Sequence, residues 1–382
     1  MGTEFTVLLI FSVSLSISLA LLLGYPIFAY LLSRLRAVPV RKQRDYTPRL
    51  SVVVPCYNEV EHVEGKVREL LQLEYPRDLT QLVFIDSGST DGTAQALRRF
   101  ACMGSITLIE QPERRGKCSA INEALRYANG QVIVLTDADA RVQPSAIREI
   151  LANFADPRVG AAVGDLSITG RSFVGAMNQA FYRLFRQKPR EWESMLDSAS
   201  FLSGETLAIR RGLIDSLNED TISDDLEILF TIRKKSYRCI VESNARTFER
   251  DVETVVGQIS HKRRTFAGTL QAFSRHRDAF LKGHLGLFGM MIAPMYALRI
   301  IVAPFLLLLA QVSFLAMIAL SPSFLTVLAG AFIAFIALYA NSTTRKFALS
   351  ILYGFIVQAA IVLGLYDYIT GRYRVLWAKK GR

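Results

Sequence analysis

Asp137 and Asp139, in the run QVIVLTDADA (131–140), set two carboxylates at i and i+2 directly after an apolar stretch. Once the backbone leaves a regular pleat, such a pair can turn into one cleft and hold a divalent cation against a diphosphate. Three further segments end in acids or small residues in the same way: LSVVVPCYNE (50–59), QLVFIDSGSTDGT (81–93) and, without a strand pattern, TISDDLEI (221–228). Carboxylate oxygens suit hard cations such as Mg2+ or Mn2+, and no His or Cys cluster competes for a softer metal. The chemistry indicated is the handling of a metal-bound diphosphate. An Asp-x-Asp pair alone is more often a solvated turn, and it is the preceding VIVLT that turns the reading toward a site.

Continuous apolar runs of this length predict strands buried on both faces of a largely parallel α/β sheet, which takes ligands beyond the carboxyl ends of its strands. Asp91 precedes an apolar-periodic stretch beginning near Thr93 and is expected to cap that helix rather than to touch a ligand.

The ordered set VVVPCYNE, IDSGSTDGT, RRGKCSAINEAL, TDADA, SGETLAIRR, SDDLEI and IRKKSYRC, within residues 50–270, resembles the inverting family 2 glycosyltransferases. That group contains cellulose, chitin and hyaluronan synthases and dolichyl-phosphate mannose synthase. The resemblance implies a GT-A-like nucleotide-sugar-binding domain using Mg2+ or Mn2+ and a nucleotide-diphosphate sugar, with a UDP-sugar as the expected donor. It implies that Pro55, Tyr57 and Glu59 border the base and that Asp86 contacts base or ribose. Gly116 and Lys117 match the pair that brings a cation to the diphosphate, with Asn122 on the same side. Asp137 and Asp139 match the metal and diphosphate site, Asp139 as the direct ligand.

Ser223-Asp224-Asp225 stands where those enzymes carry Thr-Glu-Asp, so the resemblance makes Asp225 the base that deprotonates the acceptor hydroxyl and Asp224 its neighbour. Acids at a helix start also cap it, and both roles are compatible. Ser203 and Gly204 match the acceptor-binding turn, whereas Glu205 falls where many relatives carry a small residue. Registering VVGQISHKRRTFAG on Gly268 puts His261, Arg264 and Thr265 at the Gln, Arg and Trp positions of the processive enzymes' Gln-x-x-Arg-Trp motif. Arg263 or Arg264 is then expected to contact phosphate. The missing Trp weighs against long-polymer extrusion, leaving two acceptor classes, a lipid-linked one and a growing polysaccharide.

Residues 6–32 carry no charge and are long enough to cross a bilayer core of ~30 Å. The Arg- and Lys-rich flank that follows places the next domain in the cytoplasm by the positive-inside rule. The expected organisation is a transmembrane helix over 1–36, a cytosolic domain over 48–250, amphipathic interfacial helices over 251–284, transmembrane helices over 285–371 and a basic tail over 372–382. A re-entrant or additional pass within 285–300 would bring that tail to the cytoplasmic face, as the positive-inside rule favours.

The net charge of +11 accompanies no nucleic-acid motif. The basic residues cluster beside apolar spans, which points to the lipid bilayer and not to nucleic acid as partner. Four scattered cysteines without a CxxC indicate neither zinc nor a disulfide framework. The expectation is an integral cell-membrane glycosyltransferase. The alternative, a non-catalytic transporter or scaffold with a decayed nucleotide-binding domain, predicts eroded acids, yet Asp86, Asp137, Asp139 and Asp225 are all present.

Overall fold

The computed structural model describes residues 2–281 and 283–373, so most of the expected basic tail, 374–382, lies outside the described residues. Eight strands form one sheet: β1 (Leu50–Cys56), β2 (Thr80–Ser87), β3 (Thr107–Gln111), β4 (Val132–Leu135), β5 (Arg141–Val142), β6 (Val159–Thr169), β7 (Leu207–Arg210) and β8 (Arg238–Arg250). Their order is β3-β2-β1-β4-β7-β6-β8-β5. The first four are parallel, β1 pairing with both β2 and β4, while β7 runs antiparallel between β4 and β6.

The helices are α1 (Gly2–Arg36), α2 (Val60–Leu70), α3 (Thr93–Cys102), α4 (Lys117–Tyr127), α5 (Ala146–Leu151), α6 (Phe173–Phe181), α7 (Lys188–Leu196), α8 (Asp224–Lys234), α9 (Val255–Arg275), α10 (Phe288–Leu320), α11 (Phe324–Ala340) and α12 (Arg345–Thr370). Because side chains alternate across a strand, β1 feeds two cores. Val53 joins Ile85, Ile133 and Ile121 under α4 and α8, whereas Val52 and Val54 join Phe84, Val63, Leu97 and Ile147 under α2, α3 and α5. This double burial is why the strands read as unbroken apolar runs.

The α1 helix packs antiparallel on α10: the Ser18 hydroxyl donates to the Ala303 carbonyl at 3.2 Å, and the Phe11 and Phe314 rings lie 5.6 Å apart. The joint to the sheet domain is polar. Arg238, buried in β8, donates to the carbonyls of Val38 (3.0 Å), Ser194 (2.9 Å) and Asp197 (2.7 Å). Tyr25 of α1 donates to Glu193 of α7 at 3.0 Å.

Two expectations change. The region 288–320 is one continuous helix, with no separate pass or re-entrant element within 285–300. Pro294 and Pro304 are accommodated because each opens a helical segment bordered by a π-turn. The basic segment after residue 250 forms one long helix, α9, followed by short turns at Arg277–Ala279 and Gly283–Leu285, and α9 is held by protein on two sides. Phe266, Ala272 and Phe273 are buried, while Arg263 pairs with Asp367 and Gln258 accepts from the Tyr353 hydroxyl of α12 at 2.6 Å. Its composition shows an apolar face but not what covers it.

A Cβ on Gly130 would lie 2.4 Å from the Ser51 nitrogen and 2.6 Å from the Leu50 carbonyl carbon, both backbone atoms of β1. Gly130→Ala is therefore expected to force β1 and β4 apart at a cost of about 1–3 kcal/mol. The detergent-solubilised protein should unfold several degrees lower, and an unchanged midpoint would refute this account of the close approach.

Candidate active site

The sheet order reverses between β1 and β4, and both strands deliver their carboxyl ends to the same edge. Such a switch point opens the crevice in which α/β sheets hold ligands. At its centre is Lys117, the first residue of α4. Its Nζ lies 2.9 Å from Asp137 Oδ1 and 3.2 Å from Asp224 Oδ2. Three segments distant in sequence thus meet on one ammonium. Burial opposes its charge, but the two carboxylates outweigh burial and hold its pKa well above that of an ordinary lysine.

Asp225 follows in the first turn of α8. Its Oδ1 accepts from the Ser223 hydroxyl at 2.5 Å and from the Leu226 N–H at 2.8 Å. Burial first, then the neighbouring Asp224 charge, push its pKa up to about 6. Gly204 borders the same space, since a Cβ there would stand 3.5 Å from Lys117 Nζ, and Ser203 is buried beside it. The Glu205 carbonyl accepts from the Thr136 hydroxyl at 2.7 Å, tying the acceptor-type turn to the end of β4.

Asp139 opens onto a groove of about 950 Å3 whose walls include Arg141, Arg171, Arg246 and Arg250. Beneath the Asp-Ala-Asp turn, buried Lys66 donates to the Ala140 carbonyl at 2.8 Å and pairs with Glu69 at 3.0 Å. Burial lowers its pKa, against the pull of Glu69, Asp137 and Asp139. Sequence reasoning missed Lys66, although it lies in register with Val63, Val67 and Leu70 on the apolar face of α2, where a lysine is out of place unless it has partners.

The other side of the crevice is a cleft lined by Pro55, Tyr57, Ser87, Arg114 and Gly116. The Arg114 guanidinium stacks 4.0 Å from the Tyr57 ring centroid. Asp86 accepts from the Ser89 N–H at 3.0 Å through one oxygen, while its other oxygen is buried without a hydrogen-bond partner. Such an oxygen is positioned to accept from a base N–H or a ribose hydroxyl. Glu59 is engaged by the His62 ring at 2.8 Å. Asp91 accepts from the backbone N–H of Thr93 at 3.0 Å and of Val60 at 3.2 Å, joining two helix starts.

Two assignments are corrected. Asn122 exchanges two hydrogen bonds of 2.7 Å with the Leu217 backbone, so its amide is spent on bracing a loop. Arg263 forms a two-pronged pair with Asp367 of α12. Successive helical residues point about 100° apart, so only one of the adjacent arginines can enter the crevice. That one is Arg264, which is within the electrostatic reach of Asp224, Asp137 and Asp225 and keeps a buried Nε without a hydrogen-bond partner. Gly268 lets α9 approach the Asp225 loop, since a Cβ would lie 2.9 Å from Ile222. Burial, then Lys262 and Arg264, push the His261 ring down to about 3, so it is neutral. Thr265, in the Trp position, donates its hydroxyl back to the His261 carbonyl at 3.0 Å.

No group of three or more His, Cys, Asp or Glu side chains able to hold a metal occurs among the described residues. The donor set nevertheless fits a hard cation that arrives with its own oxygen ligands. Asp139, at the groove, and Asp137, beside Lys117, are the carboxylates that would hold such a cation, which would supply positive charge to a diphosphate bound there.

Residues 51–217 match the glycosyl transferase family 2 model. The chain is 23% identical over 227 residues, 58% of its own length and 55% of the relative's, to a poly-beta-1,6-N-acetyl-D-glucosamine synthase of Staphylococcus epidermidis. It is 23% identical over 218 residues, 56% and 52% of the two lengths, to the synthase of the same name from Staphylococcus aureus. The chain therefore spans about half the length of the curated relatives it matches. Among solved structures, a mannosyltransferase from Pyrobaculum calidifontis in complex with GDP-Man and Mn2+ aligns with a TM-score of 0.75 and 27% identity. That alignment covers 95% of this chain and 99% of the other.

The two arginines can be separated by kinetics. Arg264→Gln is expected to lower kcat/KM for a nucleotide-sugar donor at least ~100-fold with little change in unfolding. Arg263→Gln should lower the unfolding midpoint and leave kcat/KM within about tenfold, because it strands Asp367 rather than a substrate group. Equal kinetic losses in both would contradict the division.

Proposed function

We propose that this chain, whose residues 51–217 form a family 2 glycosyltransferase domain with the GT-A fold, is an inverting membrane glycosyltransferase. It moves a sugar from a nucleoside-diphosphate donor to an acceptor held at the bilayer. The observation that carries the reading is the Lys117 bridge between Asp137 and Asp224, beside an Asp225 whose pKa lies near 6. It gathers a diphosphate-side carboxylate, a cation and a base in one crevice.

In the proposed reaction the base and ribose occupy the Tyr57–Asp86 cleft, and Lys117 and Arg264 face the diphosphate. A divalent cation at Asp137 and Asp139, when bound, takes up negative charge developing on the leaving diphosphate. Asp225 removes the acceptor proton, the acceptor oxygen bonds to the anomeric carbon from the opposite face, and the carbon–diphosphate bond breaks with inversion. The Ser223 hydroxyl and Leu226 N–H fix the Asp225 carboxylate, and burial raises its basicity. Ser203 and Gly204 border the acceptor.

GDP-mannose heads the donor panel, ahead of the UDP-sugars the sequence suggested, because the structural neighbour aligned over nearly the whole chain holds that nucleotide sugar. The long apolar helices Gly2–Arg36, Phe288–Leu320 and Arg345–Thr370 support an integral membrane protein, and the Arg-rich flank after α1 supports a cytoplasmic catalytic domain.

The reading is tested with purified protein, Mn2+ or Mg2+ and a donor panel including GDP-mannose and UDP-sugars, following nucleotide release. Asp225→Asn should reduce turnover about 10²–10⁴-fold. Since an ionised Asp225 is the active form, kcat/KM should be level above pH 6 and fall about tenfold per unit below it. Chelation should abolish release and either cation restore it. Release that persists unchanged in Asp225→Asn, or a profile flat to pH 4.5, counts against the mechanism.

A further inference from the structure

A second set of cations lies on the acceptor side of the crevice, and the transfer chemistry leaves it without work. Arg190 is 0% exposed, and none of its three guanidinium nitrogens has a hydrogen-bond partner among the described residues. Its guanidinium carbon is 4.7 Å from the Phe201 ring centroid, and that of half-buried Arg186 is 4.2 Å from the same ring. Lys262 of α9 is within the electrostatic reach of Arg186 and Glu205. Asp165 is within the electrostatic reach of Arg190, and Asp251 within that of Lys262, yet no acid hydrogen-bonds any guanidinium nitrogen of Arg190 among the described residues. Stacking on a ring does not replace the hydration that a wholly buried guanidinium gives up.

The same stretch of chain supplies more unused donors. A π-turn, Tyr182–Gln187, widens the helix between α6 and α7, a distortion common at functional sites. It leaves the Tyr182 hydroxyl and the Gln187 amide nitrogen buried without partners. Asp165 and Glu205 also reach Tyr182 electrostatically, so acids are near, but the unmatched donors of Arg190, Gln187 and Tyr182 outnumber the acceptors. A compact ligand rich in acceptor oxygens and negatively charged would satisfy them, and a phosphate has that chemistry.

The far wall of the site is membrane helix. Tyr296 belongs to α10, stacks on Phe201 at 5.8 Å, and lies 5.6 Å from Arg186. It is also within the electrostatic reach of Asp225. A phosphate seated here would have an apolar helix alongside for a tail and the proposed base within the same crevice.

We propose that Arg186, Arg190 and Lys262 anchor the phosphate of a lipid-linked acceptor. This rests on the glycosyltransferase reading of the same crevice and selects the phosphate-bearing lipid over a neutral polysaccharide end.

The test uses the full chain in nanodiscs of uncharged lipid and calorimetric titration with three probes: decyl phosphate, decanol and inorganic phosphate. Decyl phosphate should saturate one site and bind at least tenfold more tightly than either of the others. Arg190→Gln should weaken it at least tenfold. Arg186→Gln, at a half-buried position where folding is less at risk, should weaken it several-fold, and unfolding midpoints of both variants identify the folded one to be scored. Equal binding of decyl phosphate and decanol, or unchanged affinity in a folded variant, would overturn the anchor. Inorganic phosphate binding as tightly as decyl phosphate would overturn the lipid acceptor. Donor nucleotide release is followed on the same wild-type preparation. Release without decyl phosphate binding sinks the anchor alone, and binding without release from any donor sinks the transferase reading alone.

Discussion

The crevice depends on one ammonium shared by two carboxylates. Asp137, Asp224 and Asp225 crowd the same half-buried space, and like charges at such range repel where water is scarce. Lys117 resolves this by contacting Asp137 and Asp224 directly while leaving Asp225 to hydrogen bonds from Ser223 and Leu226. The acid left out of the ion pair keeps the raised pKa. The same arrangement that makes the folded site tolerable therefore differentiates its acids, with one bridged pair and one carboxyl poised to exchange a proton.

Much of this was legible in the sequence because the sheet is buried on both faces. β1, β2 and β4 appear as unbroken apolar runs, and their acids follow directly. The later strands were not legible. β8 mixes buried and exposed residues irregularly over Arg238–Arg250, and its partner β6 is distant in sequence, so local composition gives little signal. The adjacent arginines of α9 show another limit. A motif register places both near phosphate, but helical geometry separates them, and the acid that claims Arg263 lies on α12, about a hundred residues further on. Arg190 was invisible for the same reason, because only packing reveals that its guanidinium is sealed from water.

The basic segment after the sheet domain gives a similar lesson about partners. Its composition suits a lipid surface, yet α9 packs Ala272 and Phe273 into the core of the sheet domain and sets Arg263 and Phe266 against α12. The helix that carries Arg264 and Lys262 is thus also the wall between the sheet domain and the last long apolar helix. The crevice and the long apolar helices share one element, in keeping with a structural likeness that covers 95% of the chain and is not confined to the sheet.

The Arg238 fork, which takes the carbonyls of Val38, Ser194 and Asp197 at once, clamps the exit of α1 to β8 and α7. A domain fastened this way has little freedom to swivel on a flexible stalk. Its working edge is thereby held fixed relative to α1 and, through the packing of α1, to α10. Position relative to the long apolar helices is therefore set by the fold and not by a hinge.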